Sequence, residues 1–344
     1  MASWDLTRRT VLAGAAASVL VRPAFAASAD PDATIAVVPE ARSRVAAFLA
    51  ALDEDLRAKA QFELGSRTWR NWNYFGLNLI KPGVPLRDMT EAQKEAAYGL
   101  LGSVFSAHGL EKADRVMHLQ DVLAARGDSR RSSENFSFAV FGEPGADSPW
   151  AFRLEGHHLT ATATFMGDAL VAVTPSSFSC NPNAVETGER RGMVALTDEE
   201  KLARTLFADL EGASARHALI SDRAYRNIRT AAGREDSLTS IEGVPAADLT
   251  AGQTDLLWAL VETYAVDHLG YSIADNQRTR IRTGDRNAVH FAWAGTNREG
   301  EPFYYRVSGP TFLIELGTVD RAAQHLHTIY HDLDRSLGRH VLAG

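Results

Sequence analysis

One pattern occurs twice in this chain, and it restricts the fold more than any single motif does. Gly83-Val84-Pro85, Asp88, Thr90 and Gln93 return as Gly243-Val244-Pro245, Asp248, Thr250 and Gln253. Further on, FAVFGEPGADSPWAFRLEGHHLTATAT from Phe138 matches FAWAGTNREGEPFYYRVSGPTFLIELGT from Phe291. Gly142 aligns with Gly295, Trp150 with Phe303, Phe152 with Tyr305, Arg153 with Arg306 and Gly156 with Gly309. Upstream, VAAFLAALDEDLRAKA parallels LARTLFADLEGASARHA. A self-similar chain is read as repeated supersecondary units that share a core. The unit here is helix, loop, helix, then a small antiparallel sheet. The expected class is therefore α+β: two fused helix-helix-antiparallel-sheet repeats related by internal duplication. Their expected bounds are 40–190 and 191–344, the second with a C-terminal H-x-H tail.

Local signals agree with that order. Thr90 or Asp88 caps a helix with Ala96, Leu100, Leu101 and Val104 at helical spacing. Thr250 opens the matching helix, with Leu256, Leu257, Leu260, Val261 and Tyr264 on its apolar face. Thr197 and Glu200 form a capping-box pattern before Leu202, Leu206 and Leu210. FSFAVFG and VHFAWAG are short aromatic and β-branched runs that end in glycine, as strands do. VTPSSFSCNPNAV, after the first sheet, reads as a loop. No glycine-rich phosphate loop is present, so nucleotide binding has no support.

The first 26 residues are read separately. Arg8 and Arg9 precede the short apolar stretch Val11 to Val21, and Ala24-Phe25-Ala26 fits a small-x-small cleavage site. This is the pattern of a twin-arginine export signal, too short to span a bilayer comfortably. It implies the twin-arginine export machinery as a partner, a periplasmic or secreted location and no stable membrane insertion. The chain carries a net charge of -7, and the signal is itself basic, so the remainder is more acidic still. That argues against nucleic acid as a partner. Cys180 is the only cysteine. An intramolecular disulfide and thiolate-rich metal clusters are thereby excluded, and any metal must be held by nitrogen and oxygen.

The two copies differ in their histidines. The first reads Glu155-Gly156-His157-His158 where the second reads Ser308-Gly309-Pro310-Thr311, and His290 stands where the first has Ser137. The end of the chain adds His325, His327 and His331 within QHLHTIYHD. Adjacent residues on a strand point to opposite faces, so His157 and His158 share a site only if Gly156 makes a bulge. His325 and His327 share a face if they lie on a strand; on a helix the pair becomes His327 and His331. Imidazole suits copper, zinc and iron, and Glu155 or Glu315 could complete a site that keeps one position open. The expected metal ligands are His157, His158, His325 and His327, holding a divalent metal (copper, zinc or iron). Glu155 is the candidate proton shuttle, and Arg153 or Arg306 the candidate anchor for an anionic substrate group. Arg153 and Arg306 occupy equivalent places in both copies, which favours an architectural role. The zinc-protease pattern H-E-x-x-H is absent, as is a G-x-S-x-G elbow around Ser176, Ser177 and Cys180. His108, His118, His217, His268 and His340 are read as surface or capping residues.

RNWNYFG, the segment from Pro149 to Val185, and YYRVSGPTFLIEL with QHLHTIYHDLDRSLGRHVL together resemble a family of exported bacterial proteins, domain of unknown function 3500. The resemblance runs from about Val45 to Leu342. It implies no established activity. The shared pattern takes in Glu155, Gly156, His157, His158, Asn181, Pro182, Arg306, Gly309, Pro310, His325 and His327. Members often carry arginine at the position of His331, which favours His325 and His327 as ligands. Three functional classes remain open. The first is a metal-dependent enzyme, redox or hydrolytic, acting on an unknown small-molecule substrate. The second is a non-catalytic periplasmic metal carrier. The third is a metal-free small-molecule binding module in which Trp69, Trp72, Tyr74, Phe75 and Trp150 line an aromatic cleft.

Overall fold

The computed structural model describes residues 34–76, 80–238 and 240–342; the expected export signal, 1–26, lies outside them. The chain is a mixed α+β protein, with ten α-helices and one 14-stranded sheet among the described residues. In the first half the strands are β1 (Ala36–Val37), β2 (Gln61–Phe62), β3 (Val84–Pro85), β4 (Ser137–Gly142), β5 (Pro149–Gly156), β6 (Leu159–Met166), β7 (Ala169–Ala172) and β8 (Ser176–Phe178). In the second half they are β9 (Leu219–Ser221), β10 (Val244–Pro245), β11 (His290–Gly295), β12 (Phe303–Ser308), β13 (Phe312–Thr318) and β14 (Leu326–Asp332). The main path is β10-β11-β12-β13-β14-β8-β6-β5-β4-β2. The sheet is thus joined in the middle, where Tyr330 of β14 pairs with Ser176 of β8.

The two ends of the sheet are built alike. Val84 pairs with Phe138 and Val244 with Phe291, both antiparallel. β2 lies parallel to β4, and β9 parallel to β11. Gly83 and Gly243 take φ of +117° and +108°, and a Cβ on either would sit 2.4 or 2.3 Å from the carbonyl oxygen of Phe138 or Phe291. Only glycine tolerates both the left-handed backbone and that approach. Thr90 with Gln93, and Thr250 with Gln253, each complete a capping box. Each glutamine also donates Nε2 to the end of an earlier helix of the same half, at the carbonyl of Ala51 of Pro39–Ala51 (2.9 Å) or Asp209 of Thr197–Asp209 (2.8 Å). One side chain thereby ties the end of one helix to the start of another in both places.

Side-chain alternation divides the sheet faces. Phe138, Val140, Phe152 and Leu154 pack with Val45, Phe48, Leu100 and Val116 of the helices Pro39–Ala51, Glu91–Leu101 and Ala107–Ala125. Phe291, Trp293, Tyr305 and Val307 do the same with Leu206, Leu257 and Val261 of Thr197–Asp209 and Ala251–Ala265. The other face is covered by a short helix and irregular chain: Trp69 of Arg67–Arg70 lies on Ala139, Phe141 and Ala151, and Trp72 and Tyr74 cluster with Ile228 and Ile329.

Three expectations change. Ser176–Phe178, expected in a loop, is strand β8. Its three residues carry little strand signal of their own and are held by β6 on one side and β14 on the other. The H-x-H tail is the inner strand β14, packed between β13 and β8. Thr197 is the first residue of its helix rather than its cap. Asn183 Oδ1 accepts from Leu196 N, and Glu200 is bound by Arg204 at 2.8 Å, so no capping box closes there.

Gly83→Ala and Gly243→Ala should each lower stability by about 1–3 kcal/mol, since each adds left-handed strain and a backbone clash. Chemical denaturation measures this; a neutral effect at either position contradicts the equivalence of the two ends.

Candidate metal centre

His157 and His158 form the two-residue turn between β5 and β6, closed by the pair Gly156 and Leu159. Gly156 makes no bulge; a Cβ there would meet the Phe136 ring at 2.2 Å. His158 has φ of +73°, a left-handed conformation that costs a residue other than glycine about 1–2 kcal/mol. The backbone holds it there. His158 N donates to Tyr74 O at 2.9 Å, and Ser179 N donates to His158 O at 2.8 Å.

The next residue along, Cys180, exchanges two 2.9 Å backbone hydrogen bonds with Leu326. Leu326 lies between His325 and His327. The segment 179–180 therefore ties the turn of the first half to the start of β14. His325 stands one residue before β14, and the alternation carried across Leu326 gives it the same direction as His327. His327 stands opposite Gly317 of β13. A Cβ on Gly317 would lie 2.7 Å from the backbone of Asn227, so the missing side chain lets that segment cross the strand.

Three imidazoles converge. His325 Nε2 lies 3.0 Å from His158 Nε2 and 3.0 Å from His327 Nε2. Their candidate ligand atoms all fall within 4.8 Å of one another; His158 and His327 are buried and His325 half-buried. Asn227 Oδ1 accepts from Ile228 N at 2.8 Å and lies 2.8 Å from His327 Nδ1. That oxygen is an acceptor, so Nδ1 of His327 carries the proton and Nε2 its lone pair. His158 Nδ1 is buried with no partner among the described residues.

Protons alone fit this group poorly. With a lone pair on His327 Nε2, a proton on His325 Nε2 can point at one neighbour, leaving the other contact without a good hydrogen bond. A proton on His158 Nε2 instead leaves His325 and His327 facing each other with lone pairs. A single cation at the point of convergence satisfies all three nitrogens. Burial keeps the imidazoles in the neutral, metal-binding form. It depresses His158 well below its ordinary value, reinforced by His157, His327 and His325. It lowers His327 to about 3, and lowers His325 against the opposing pull of Asp320.

His157 stands beside this group. Its ring stacks on His158 with centroids 3.6 Å apart. Its Nδ1 lies 2.6 Å from Arg131 Nη1 and 2.8 Å from Gln120 Oε1. Since the guanidinium only donates, that Nδ1 is the acceptor and is unavailable to a metal at the triad. Burial, then the charge on Arg131, lowers His157 to about 2.

The carboxylates and arginines are occupied elsewhere. Glu155 accepts from Asn73 N and lies 3.8 Å from Arg153. Burial raises it, against the opposing effects of Arg153, the Asn73 N–H and Lys81. Arg153 donates to Trp69 O at 2.8 Å and lies over the Trp69 ring. Arg306 donates to Glu242 at 3.0 Å. Glu315 accepts from Arg229 N, Thr230 N and Tyr304 Oη. His331 Nε2 is 2.8 Å from Thr230 O, with its ring at the edge of Trp72. Trp69, Trp72, Tyr74 and Trp150 are all packed in the interior rather than lining an open cleft; Trp150 stacks on Phe165 at 4.3 Å.

Sequence reasoning missed Asn227, Gly317 and Ser179. Asn227 lies far from His327 along the chain, in a stretch without periodicity. Gly317 offered a faint signal, as a glycine interrupting an otherwise apolar strand.

The fold and the three imidazoles define an α+β protein with a buried histidine cluster at the centre of its sheet. The sequence profile described as protein of unknown function (DUF3500) matches residues 35–338, and the chain belongs to that family. No curated protein and no solved structure matches it.

The depressed imidazoles link folding to pH. The unfolded chain takes up protons near pH 6.5 that the folded chain refuses until about pH 3 at His327. Stability of metal-free protein is then full above pH 6.5 and declines as the pH falls from there. Thermal melts across that range should show the decline, and His327→Gln should flatten it. An unchanged slope in the variant contradicts the assignment.

Proposed function

We propose that this chain binds one divalent metal ion, copper, zinc or iron, through Nε2 of His158, His325 and His327. The observation that carries the proposal is the convergence of three neutral imidazoles, one of them oriented by Asn227. The three imidazoles would hold the ion and leave the rest of its coordination to water or substrate. Three protein ligands with an open position suit a catalytic centre better than a carrier, which saturates its ion. Bound there, the ion supplies Lewis-acid or redox chemistry to a small-molecule substrate, and the donor set accepts all three metals.

In this reading His157 supports the site through its ring and does not ligate. Glu155 as proton shuttle and Arg306 as substrate anchor rest on the sequence; their contacts favour the architectural role that paired arginines suggest. We also read the chain as a duplication with halves 40–190 and 191–344. The matched capping boxes and glycines support that reading. The twin arginines support export to the periplasm or beyond, with the ion inserted before transport of the folded protein.

The test is elemental analysis of untagged protein purified from a host with twin-arginine export. Near-stoichiometric copper, zinc or iron is expected in the wild type and in His157→Ala. It should be lost from the double variant His325→Ala, His327→Ala. A metal-free wild type, or a double variant that keeps its metal, contradicts the proposal.

A further inference from the structure

The seam has a second polar feature on the opposite face of the sheet. Adjacent residues of β14 point to opposite sides, so Thr328 and Tyr330 face the helices while His327 faces the triad. Behind them lies a small cavity with room inside for about one water, the surrounding 210 Å³ including its open margin. Lys112, Ser176 and Phe178 of the first half line it together with Tyr264, His268 and Thr328 of the second.

His268 was expected at the surface or at a cap, yet it is 1% exposed. Its ring lies between Phe105 (5.6 Å) and Phe178 (5.5 Å). Its carbonyl accepts from Ser106 N at 3.0 Å, and Gly109 lies against that carbonyl so closely that a Cβ would come within 2.2 Å. The ring is therefore fixed where two halves meet. Both its nitrogens are buried and have no hydrogen-bond partner among the described residues. A neutral imidazole carries one donor and one acceptor, and burying both unpaired forfeits their hydration.

Lys112 supplies a complementary group. Its ammonium has three protons and two protein acceptors, the Glu199 carboxylate and Thr263 O at 3.4 Å. Lys112 Nζ also lies 5.3 Å from the centre of the Phe178 ring, on the cavity wall. A small cavity with mainly apolar walls, reached by an ammonium and an unpaired imidazole, is a setting in which a buried water is retained.

We propose that this cavity is a built site for an ordered water molecule that accepts a hydrogen bond from Lys112 and bonds to the imidazole of His268. The water completes a polar bridge between the helix Ala107–Ala125 of the first half and the turn after Ala251–Ala265 of the second. It holds the helix layer across the seam, as β8 and β14 hold the sheet.

A high-resolution crystal structure of the full mature chain tests this. Density for one water within hydrogen-bond distance of Lys112 Nζ and of a His268 ring nitrogen is expected. A dry or collapsed cavity overturns the proposal, as does a metal ion or a larger ligand in that place. His268→Leu separates the cases thermally. If water bridges the pair, leucine strands it and the melting temperature falls by a few degrees. If the imidazole is dry, leucine removes two unpaired polar atoms and the melting temperature stays or rises, which contradicts the bridge.

Discussion

The pairing of Cys180 with Leu326 is the contact on which the centre of this molecule depends. Two backbone hydrogen bonds of 2.9 Å join segments from different halves. One residue before Cys180, Ser179 holds the carbonyl of His158; on either side of Leu326 stand His325 and His327. The register of these few backbone groups therefore decides whether three imidazoles meet. A slip of one residue in β14 would turn its histidines to the helix side of the sheet. The apolar alternation Leu326, Thr328, Tyr330 against the helices resists that slip, because Leu326 and Tyr330 belong to the second helix-facing core.

The arrangement carries local costs. His158 takes a left-handed backbone, and its Nδ1 is buried unpaired. Two of the three imidazoles are buried, and their nitrogens crowd at 3.0 Å. Strain of this kind persists where the surroundings impose it, and it gathers at functional sites. The proposed cation would offset much of it by replacing a poor contact between lone pairs with three coordinate bonds. The two halves thus play different parts. Where the first half presents His157 and His158 in its β5–β6 turn, the second has Pro310 and Thr311 after β12. The second contributes instead the strand that faces the turn.

Much of the framework was legible because its signals are local. The Gly-Val-Pro and Thr-x-x-Gln pairs each answer to a backbone demand within a few residues, a tight approach or an open helix end. His325 and His327 were legible as a same-face pair because strand periodicity is local too. The turn was harder. Read as strand residues, His157 and His158 could both ligate only through a bulge at Gly156, whereas a two-residue turn stacks the rings and brings only His158 into the triad. β8 was invisible, since Ser176, Ser177 and Phe178 owe their conformation to neighbours on both sides. Asn227 reaches His327 through tertiary packing over a glycine, which no spacing in the chain records.

X-ray absorption of the metal-loaded wild type tests the central claim most directly. The account predicts about three imidazole nitrogens near 2.0–2.1 Å for zinc, with the outer scattering of their rings and at least one further light ligand. A shell of oxygen ligands without imidazole scattering would place the ion elsewhere and contradict the account.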